Sequence, residues 1–332
     1  MPASSLEIRA FRRSTDLAAV AELWATALAP ERPVLADGLE LLRGGYIAVR
    51  DERCVGMIGV AVDDVEAVAP GRDGGAGPRD ASAAAAAGED AGPGPDGAPT
   101  SSVRFIAGAP DERRRGIATR LVEHALGDLR RMGVHQVAAG SGAGPYIWPG
   151  VPLDRPDAVG FFDALGWEEP HVVTDLTADL RTDGLDEQLA GFGPPAGISL
   201  AVVTPAQRSM VLDFEDANFP QWSRSFREPG NDVLVAYDGA GEVVGSLLLS
   251  GPGRSTVYWP MLGEDSAEIA CVGVAASQEN RGVGSAMVAR ASQVLRSRGA
   301  GVCHIGWAVR VGFYSRVGYR PWRRYSMRNR TL

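Results

Sequence analysis

No lysine occurs anywhere in the 332 residues, so all 33 basic residues are arginine. That absence excludes chemistry needing a lysine amine: a pyridoxal Schiff base, the phosphate-cradling lysine of a Walker A loop, or the nucleotide-binding lysine of a protein kinase. Cysteine is nearly as scarce. Cys54, Cys271 and Cys303 lie far apart with no CxxC pair, and only His124, His135, His171 and His304 could assist them. Neither a metal site nor a disulfide framework is expected. No run approaches the roughly 18 uninterrupted apolar residues of a membrane span, and the opening MPASSLEIRAFRR has no apolar signal-peptide core. A cytoplasmic protein without membrane attachment is the expectation.

What is present fits a folded α/β protein. Hydrophobic residues make up 45% and charged residues 22%, which leaves enough apolar surface for a sizeable core. The length, against roughly 100–200 residues per domain, points to two domains. From Pro70 to Thr100 the chain is mostly Gly, Ala, Pro and Asp, with no aromatic and no aliphatic larger than alanine. Such a stretch cannot offset its ordering entropy and reads as a disordered insertion, 70–100. A second composition break, GFGPPAG at Gly191–Gly197, marks a boundary. It divides the chain into an N-terminal domain 1–185, a linker 186–197 and a C-terminal domain 198–332.

The two halves read in the same order. In the first, Leu6–Arg9 predicts a strand and Thr15–Leu28 a helix with Leu17, Val20, Ala21 and Trp24 on one face. Tyr46–Arg50 with Cys54–Val62 predicts a hairpin, Val103–Ala107 a strand, Gly116–Met132 a helix, Gln136–Ala139 a strand and Ala158–Leu165 a short helix. In the second, Ile198–Val203, Pro205–Asn218, Asp232–Tyr237 with Val243–Leu249, Ile269–Val274, Gly282–Arg298, Val302–Ile305, Val311–Arg316 and Arg320–Met327 repeat that order. Each half is one mixed α/β unit.

In both halves a strand leads through a glycine-bearing turn into a long amphipathic helix. The turns are Pro110-Asp-Glu-Arg-Arg-Arg-Gly-Ile-Ala118 and Ala276-Ser-Gln-Glu-Asn-Arg-Gly-Val-Gly284. Small residues at Gly116, Ala118, Gly282 and Gly284 let the backbone approach an anion, and the amides at a helix start point toward it. Arg113, Arg114 and Arg115 in the first loop and Arg281 in the second can add charge-assisted hydrogen bonds to phosphate oxygens. A single such loop is equally a tight strand-to-helix turn. Two in matching context point to a phosphate-bearing ligand such as a pyrophosphate.

With these motifs the sequence resembles the GNAT N-acetyltransferase superfamily, whose signature is Gln/Arg-x-x-Gly-x-Gly/Ala at the start of the helix after the fourth strand. Arg113-Arg-Arg-Gly-Ile-Ala118 matches it throughout, whereas Glu279-Asn-Arg-Gly-Val-Gly284 differs at its first position. Phe161-Phe-Asp-Ala-Leu-Gly-Trp167 and Phe313-Tyr-Ser-Arg-Val-Gly-Tyr319 resemble the family's F-Y-x-x-x-G-F segment. The resemblance covers both halves apart from the insertion and the linker. It implies two tandem domains, each a twisted mixed sheet flanked by helices, with acetyl-CoA as donor and an amine as acceptor.

The resemblance also separates the halves. The family commonly takes the amine's proton with a glutamate on the fourth strand and protonates the departing thiolate with the helix tyrosine. Glu268, 14 residues before Gly282, and Tyr314 stand at those places in the second half. Ser102 and Phe162 stand there in the first, and neither side chain can act as acid or base at neutral pH. The second half is therefore expected to catalyse direct transfer and the first to be degenerate. Val272, Gly273 and Val274 would lie along the pantetheine arm, their amides available to the oxyanion. Val283 opens the helix beside Gly282.

Plainer readings stand beside these. Glu268 could be a solvated edge carboxylate, and Tyr314 a core aromatic with a satisfied hydroxyl. His304, on the neighbouring strand, could relay a proton or be structural. From Asn280 to Leu332 there are 11 arginines, no acidic residue, and Trp322, Tyr319 and Tyr325. A nucleic-acid surface needs that combination, but the net charge of −8 repels such a partner. The other alternative is a non-catalytic acyl-CoA-binding protein. An acidic first lobe suits a cationic small molecule or peptide amine, and the acceptor's identity and the oligomeric state are not legible.

Overall fold

Leu121, Val122, Ala125, Leu126 and Leu129 recur at helical spacing, as do Val283, Met287, Ala291 and Leu295. In the computed structural model all nine are buried on the inward faces of helices Ile117–Arg131 and Val283–Ser297. Both helices stop in the same way. Gly133 and Gly299 take φ of +79° and +91°, and the N–H groups of Val134 and Ala300 reach back to the carbonyls of Leu129 and Leu295 at 3.1 and 3.0 Å. This is the glycine-terminated helix end that an L side chain would strain. The structure describes residues 5–28, 42–63, 100–141, 147–204, 207–228, 230–252 and 259–332. The expected insertion 70–100 lies outside the described residues except for Thr100, which opens a strand. Among the described residues no helix is long and apolar enough to cross a membrane.

The described residues fall into two compact units, one of residues up to Val172 together with Tyr325–Leu332, the other of Val173–Arg324. In the first, β1 (Glu7–Ala10), α1 (Arg13–Ala27), β2 (Tyr46–Arg50), β3 (Arg53–Asp63), β4 (Thr100–Gly108), α2 (Ile117–Arg131), β5 (Gln136–Ala139), β6 (Val151–Pro152) and α3 (Pro156–Ala164) follow in chain order. Their sheet runs β1-β2-β3-β4-β5 and is completed by the end of the last strand of the chain, which pairs with β5 from Arg328↔Ala139 to Thr331↔Gln136. One core holds Trp24, Met57, Ile58, Phe105, Leu121 and Leu126. Leu17, expected on the inward face of α1, is 38% exposed, and Asp16 occupies that face instead. The guanidinium of Arg9 grips Asp16 with two hydrogen bonds of 2.7 and 2.8 Å, which lets a carboxylate take an inward position.

Strand β7 (Glu168–Asp179) carries the chain into the second unit. There follow α4 (Leu185–Ala190), β8 (Ser199–Val202), α5 (Arg208–Asn218), α6 (Ser223–Arg227), β9 (Asp232–Tyr237), β10 (Val243–Ser250), α7 (Trp259–Leu262), β11 (Ser266–Val274), α8 (Val283–Ser297), β12 (Val302–Ala308), α9 (Val311–Arg316) and β13 (Arg320–Thr331). This sheet runs β7-β12-β11-β10-β9-β8. Alternate residues enter two cores, as strand geometry requires. Leu234, Ala236, Ala267, Ile269, Cys303 and Ile305 pack with α8, whereas Val233, Val235, Leu248 and Cys271 pack with Val211 of α5 and Phe226 of α6. The segment expected as a linker, 186–197, contains most of α4, whose Leu185 and Leu189 are buried in this unit.

Among the described residues each sheet has one parallel pair, and it is short. The β4/β5 register ends at Val103↔Ala139 although β4 continues to Gly108. The β11/β12 register ends at Glu268↔His304 although β11 continues to Val274. Extra residues sit where the strands part. Opposite β3, Arg104 is one residue too many on β4. Opposite β10, β11 uses three steps where β10 uses two, and Cys271 takes φ +50°. β12 does the same against β7, with Trp307 at φ +55°. Such bulges bend a strand and re-aim its side chains. Each fold thus leaves a strand edge open beside the glycine loop of its long helix.

Candidate functional site

The two glycine loops share one backbone. Arg114 and Gly116 take φ of +63° and +75°, and Asn280 and Gly282 take +58° and +89°. The first N–H to bond back is that of Arg120, to Gly116, and that of Ala286, to Gly282. The amides of Ile117, Ala118 and Thr119, and of Val283, Gly284 and Ser285, therefore have no acceptor within their helices. They form concave donor sets at positive dipole ends, which suits a phosphate.

In the first unit this loop opens on a cavity of about 680 Å³. Arg113, Arg114, Gly116 and Ala118 line it, with Val103, Arg104 and Phe105 of the parting strand. A Cβ on Gly116 would meet nothing within 4 Å, so the approach to the loop is clear. Arg115 turns away and pairs with Glu112 at 3.2 Å. At the positions equivalent to Glu268 and Tyr314 stand Ser102, fully buried, and Phe162, packed edge-on against Phe161 and Trp167.

In the second unit the loop is more closely flanked. A Cβ on Gly284 would come within 3.1 Å of the Phe313 ring and 3.5 Å of Val274, and one on Gly282 would be 3.9 Å from Pro195. Arg281 is exposed and donates to Gln278 at 2.8 Å. Val272 and Val274 are half-buried on the open edge of β11. The contacts fix Gly284 as the residue that lets the α9 aromatics reach the loop.

Glu268 is not a solvated edge group. It is 4% exposed, on the side of β11 opposite Ala267 and Ile269, and its Oε1 lies 3.5 Å from Nδ1 of His304. Nε2 of His304 lies 3.3 Å from Oδ2 of Asp175 on β7. The other oxygen, Oδ1, accepts a 2.9 Å hydrogen bond from the main-chain N–H of Trp307 in the β12 bulge. Asp175 and His304 are 0% and 1% exposed. Burial alone would discharge the imidazole, but the two carboxylates outweigh it and raise His304 to about 9.

The Cys271 thiol is electrostatically coupled to the other groups. Burial holds it well above its ordinary value, with Glu215 and Glu268 adding to the effect. It in turn acts on Tyr314, whose hydroxyl burial pushes up to about 12. Glu268 and Tyr314, far apart in sequence, are thus both brought within electrostatic reach of the β11 bulge. Glu215 of α5 is also there, fully buried. One oxygen accepts from the Ser246 hydroxyl, the other has no hydrogen-bond partner, and burial raises the acid to about 7.

Sequence comparison fits this paired geometry. The profile of the acetyltransferase (GNAT) family matches residues 17–167 and 202–319. The chain belongs to the acetyltransferase (GNAT) family. It is a tandem GNAT fold. A glucosamine N-acetyltransferase region of a fungal multi-domain β-N-acetylglucosaminidase superposes with a TM-score of 0.76 at 23% identity, over 99% of this chain and 38% of that one. The chain therefore spans well under half of that protein. A tandem GNAT protein from the clavulanic acid biosynthesis pathway gives 0.64 at 19% identity, over 98% of each chain. A GCN5-related N-acetyltransferase from Sphaerobacter thermophilus gives 0.62 at 16%, over 98% of this chain and 95% of its own. No curated protein matches.

Within the GNAT frame, four residues escape a reading of the sequence. Asp175 lies before the expected boundary at 185 and belongs to a strand whose partner, β12, is more than a hundred residues away in the chain. Glu215 sits in a helix where every local signal is ordinary. Cys271 and Trp307 are strand-forming types whose positive φ nothing in the sequence announces. Asn280 is the exception, a residue type enriched at positive φ.

Proposed function

We propose that this GNAT protein is an acetyl-CoA-dependent N-acetyltransferase that transfers an acetyl group directly to a primary amine of a small molecule or peptide, using its C-terminal half, 198–332. The observation that carries the reading is the contrast at equivalent positions. The second unit has a buried glutamate backed by histidine and aspartate together with a tyrosine, where the first has serine and phenylalanine. Glu268 accepts the proton of the attacking amine and Tyr314 protonates the departing thiolate. A hydroxyl held near 12 remains protonated at working pH and so keeps the proton it must give. Cys271, held as a thiol, is a poor nucleophile, which favours direct transfer over an acyl-enzyme.

The residues fit the donor. Val283 and Gly284, with Gly282 and Arg281, would hold its phosphates, and Val272 and Val274 offer main-chain groups on the open edge of β11. Acetyl-CoA supplies the activated acyl group. For the first unit a second reading is favoured by the cavity beside Arg113, Arg114, Gly116 and Ala118: it binds the same donor without turning it over. The likeness of the whole chain to a glucosamine N-acetyltransferase region makes an amino sugar the first acceptor to try. Thiol release from acetyl-CoA in the presence of glucosamine, polyamines or short peptides tests the reading. Amine-dependent release supports it, and none with any amine at millimolar concentration refutes it.

A further inference from the structure

A carboxylate that is to collect a proton must be ionised before the reaction, and burial works against that. Glu215 is the example within this unit: enclosed by α5 and β10 with a serine hydroxyl as its partner, it is driven toward the acid form. Glu268 is buried nearly as deeply but stands beside a ring whose two nitrogens each face a carboxylate oxygen, at 3.5 and 3.3 Å. Imidazole can present N–H groups on both sides only as the imidazolium. The ring is confined: it lies edge-on to Trp322 with centroids 5.8 Å apart, and a Cβ on Gly306 would meet it at 3.4 Å. Asp175 is fixed from its far side by the Trp307 N–H.

We propose that Asp175 and His304 are positioning residues for Glu268: Asp175 holds His304 as an imidazolium, and the imidazolium holds Glu268 as the buried carboxylate that receives the amine's proton. This rests on the reading of Glu268 as the base. The proton passes from the amine nitrogen to a Glu268 oxygen as the carbon–nitrogen bond forms, and the imidazolium keeps both of its own protons. Asp175 comes from β7, within the second unit, although it precedes the boundary at 185 that composition marks. The charged groups that face the ring are Asp175 of β7 and Glu268 of β11; the Cys271 thiol of β11 is coupled to Glu268 and to Glu215 of α5. Arg323 of β13 is directed to the Met261 sulfur at 3.8 Å.

The test is the titration of His304 by nitrogen-detected NMR in the full chain, which has four histidines, alongside the pH profile of acetyl transfer. In the wild type His304 stays protonated to about 9. Asp175→Asn moves the His304 midpoint down by a pH unit or more, and once the ring is neutral the acid limb of the rate profile, set by proton uptake at Glu268, moves up. The substitution lowers kcat about tenfold, a part of the ~10²–10⁴ that a positioned base supplies, with KM for acetyl-CoA unchanged. Asp175→Glu, which keeps the charge, returns the limb toward the wild type. A neutral His304 at pH 7 in the wild type overturns the proposal without any variant, and so does an Asp175→Asn enzyme with an unshifted profile. Glu268→Gln separates the two layers. If it keeps full activity, the base assignment itself is wrong. If it is inactive while the limb ignores Asp175, only the positioning role falls.

Discussion

Oε1 of Glu268 stands 3.5 Å from Nδ1 of His304, and both residues are buried at the last register pair before β11 and β12 part. That is where the open strand edge begins, so a proton acceptor here borders the space left by the parting strands. Tyr314 approaches from the α8 side of the sheet, packed edge-on with Phe313. The two groups are therefore expected to fail separately. Tyr314→Phe keeps the ring packing and removes only the hydroxyl, so kcat falls about 10²-fold with stability unchanged. Stopped assays of thiol release with a matched thermal melt check it, and a fall in melting temperature with no fall in kcat would return Tyr314 to a packing role.

Gly116 and Gly282 separate binding from turnover. Both need positive φ, and a β-branched residue there costs roughly 1–2 kcal/mol of strain and obstructs the amides. Titration calorimetry with acetyl-CoA is expected to give two sites in the wild type and one in either Gly116→Val or Gly282→Val. Only Gly282→Val loses acetyl transfer. Loss of activity in Gly116→Val alone would reverse the division of labour between the units.

Glu215 should destabilise the fold at high pH. Its acid is raised from 4.5 to about 7 in the folded state, so the folded form prefers the proton. The stability tied to that proton is present in full below about 4.5 and is lost as pH rises through about 7. Between those limits the loss amounts to about 3 kcal/mol. Glu215→Gln, which can still accept from Ser246, is expected to melt higher than the wild type at pH 8 and equally at pH 4.5. Equal melting at both pH values would contradict it.

Asp16 has the opposite sign. The Arg9 hydrogen bonds, with the Arg12 N–H and the Thr15 hydroxyl, hold its carboxyl down at about 2 against the opposing effect of burial. Its contribution is present above about 3.8 and lost as pH falls through about 2. Asp16→Asn should cost about 2 kcal/mol at pH 7 and progressively less toward pH 2, as urea unfolding at several pH values would reveal. A pH-independent difference would mean that the lost helix-start hydrogen bonds, not charge, set the cost.

Much of this was legible in the sequence, and for identifiable reasons. Gly116 and Gly282 mark loops whose conformation few other residues tolerate, and Glu268 and Tyr314 sit at fixed distances from them along regular elements. Pairing between distant strands leaves no local trace. The last strand is expected over Arg320–Met327. It runs on to Thr331 because Arg328 is only 3% exposed, ion-paired with Asp163 at 2.6 Å and Glu169 at 3.2 Å, while Arg330 donates to Leu165 at 2.8 Å. The same burial takes Arg323 and Arg328 out of the arginine-rich surface that the composition suggested. Asp175 was hidden by both effects: it needs a long-range strand pair, and it precedes the boundary that composition marks.

The account turns on Glu268 as the base of the second unit. The most direct measurement is the single-turnover rate of acetyl transfer from acetyl-CoA to the best amine found, for the wild type and Glu268→Gln at pH 7.5. The predicted result is a fall of about 10²-fold or more with acetyl-CoA affinity unchanged. A Glu268→Gln enzyme that transfers acetyl at the wild-type rate would contradict the account.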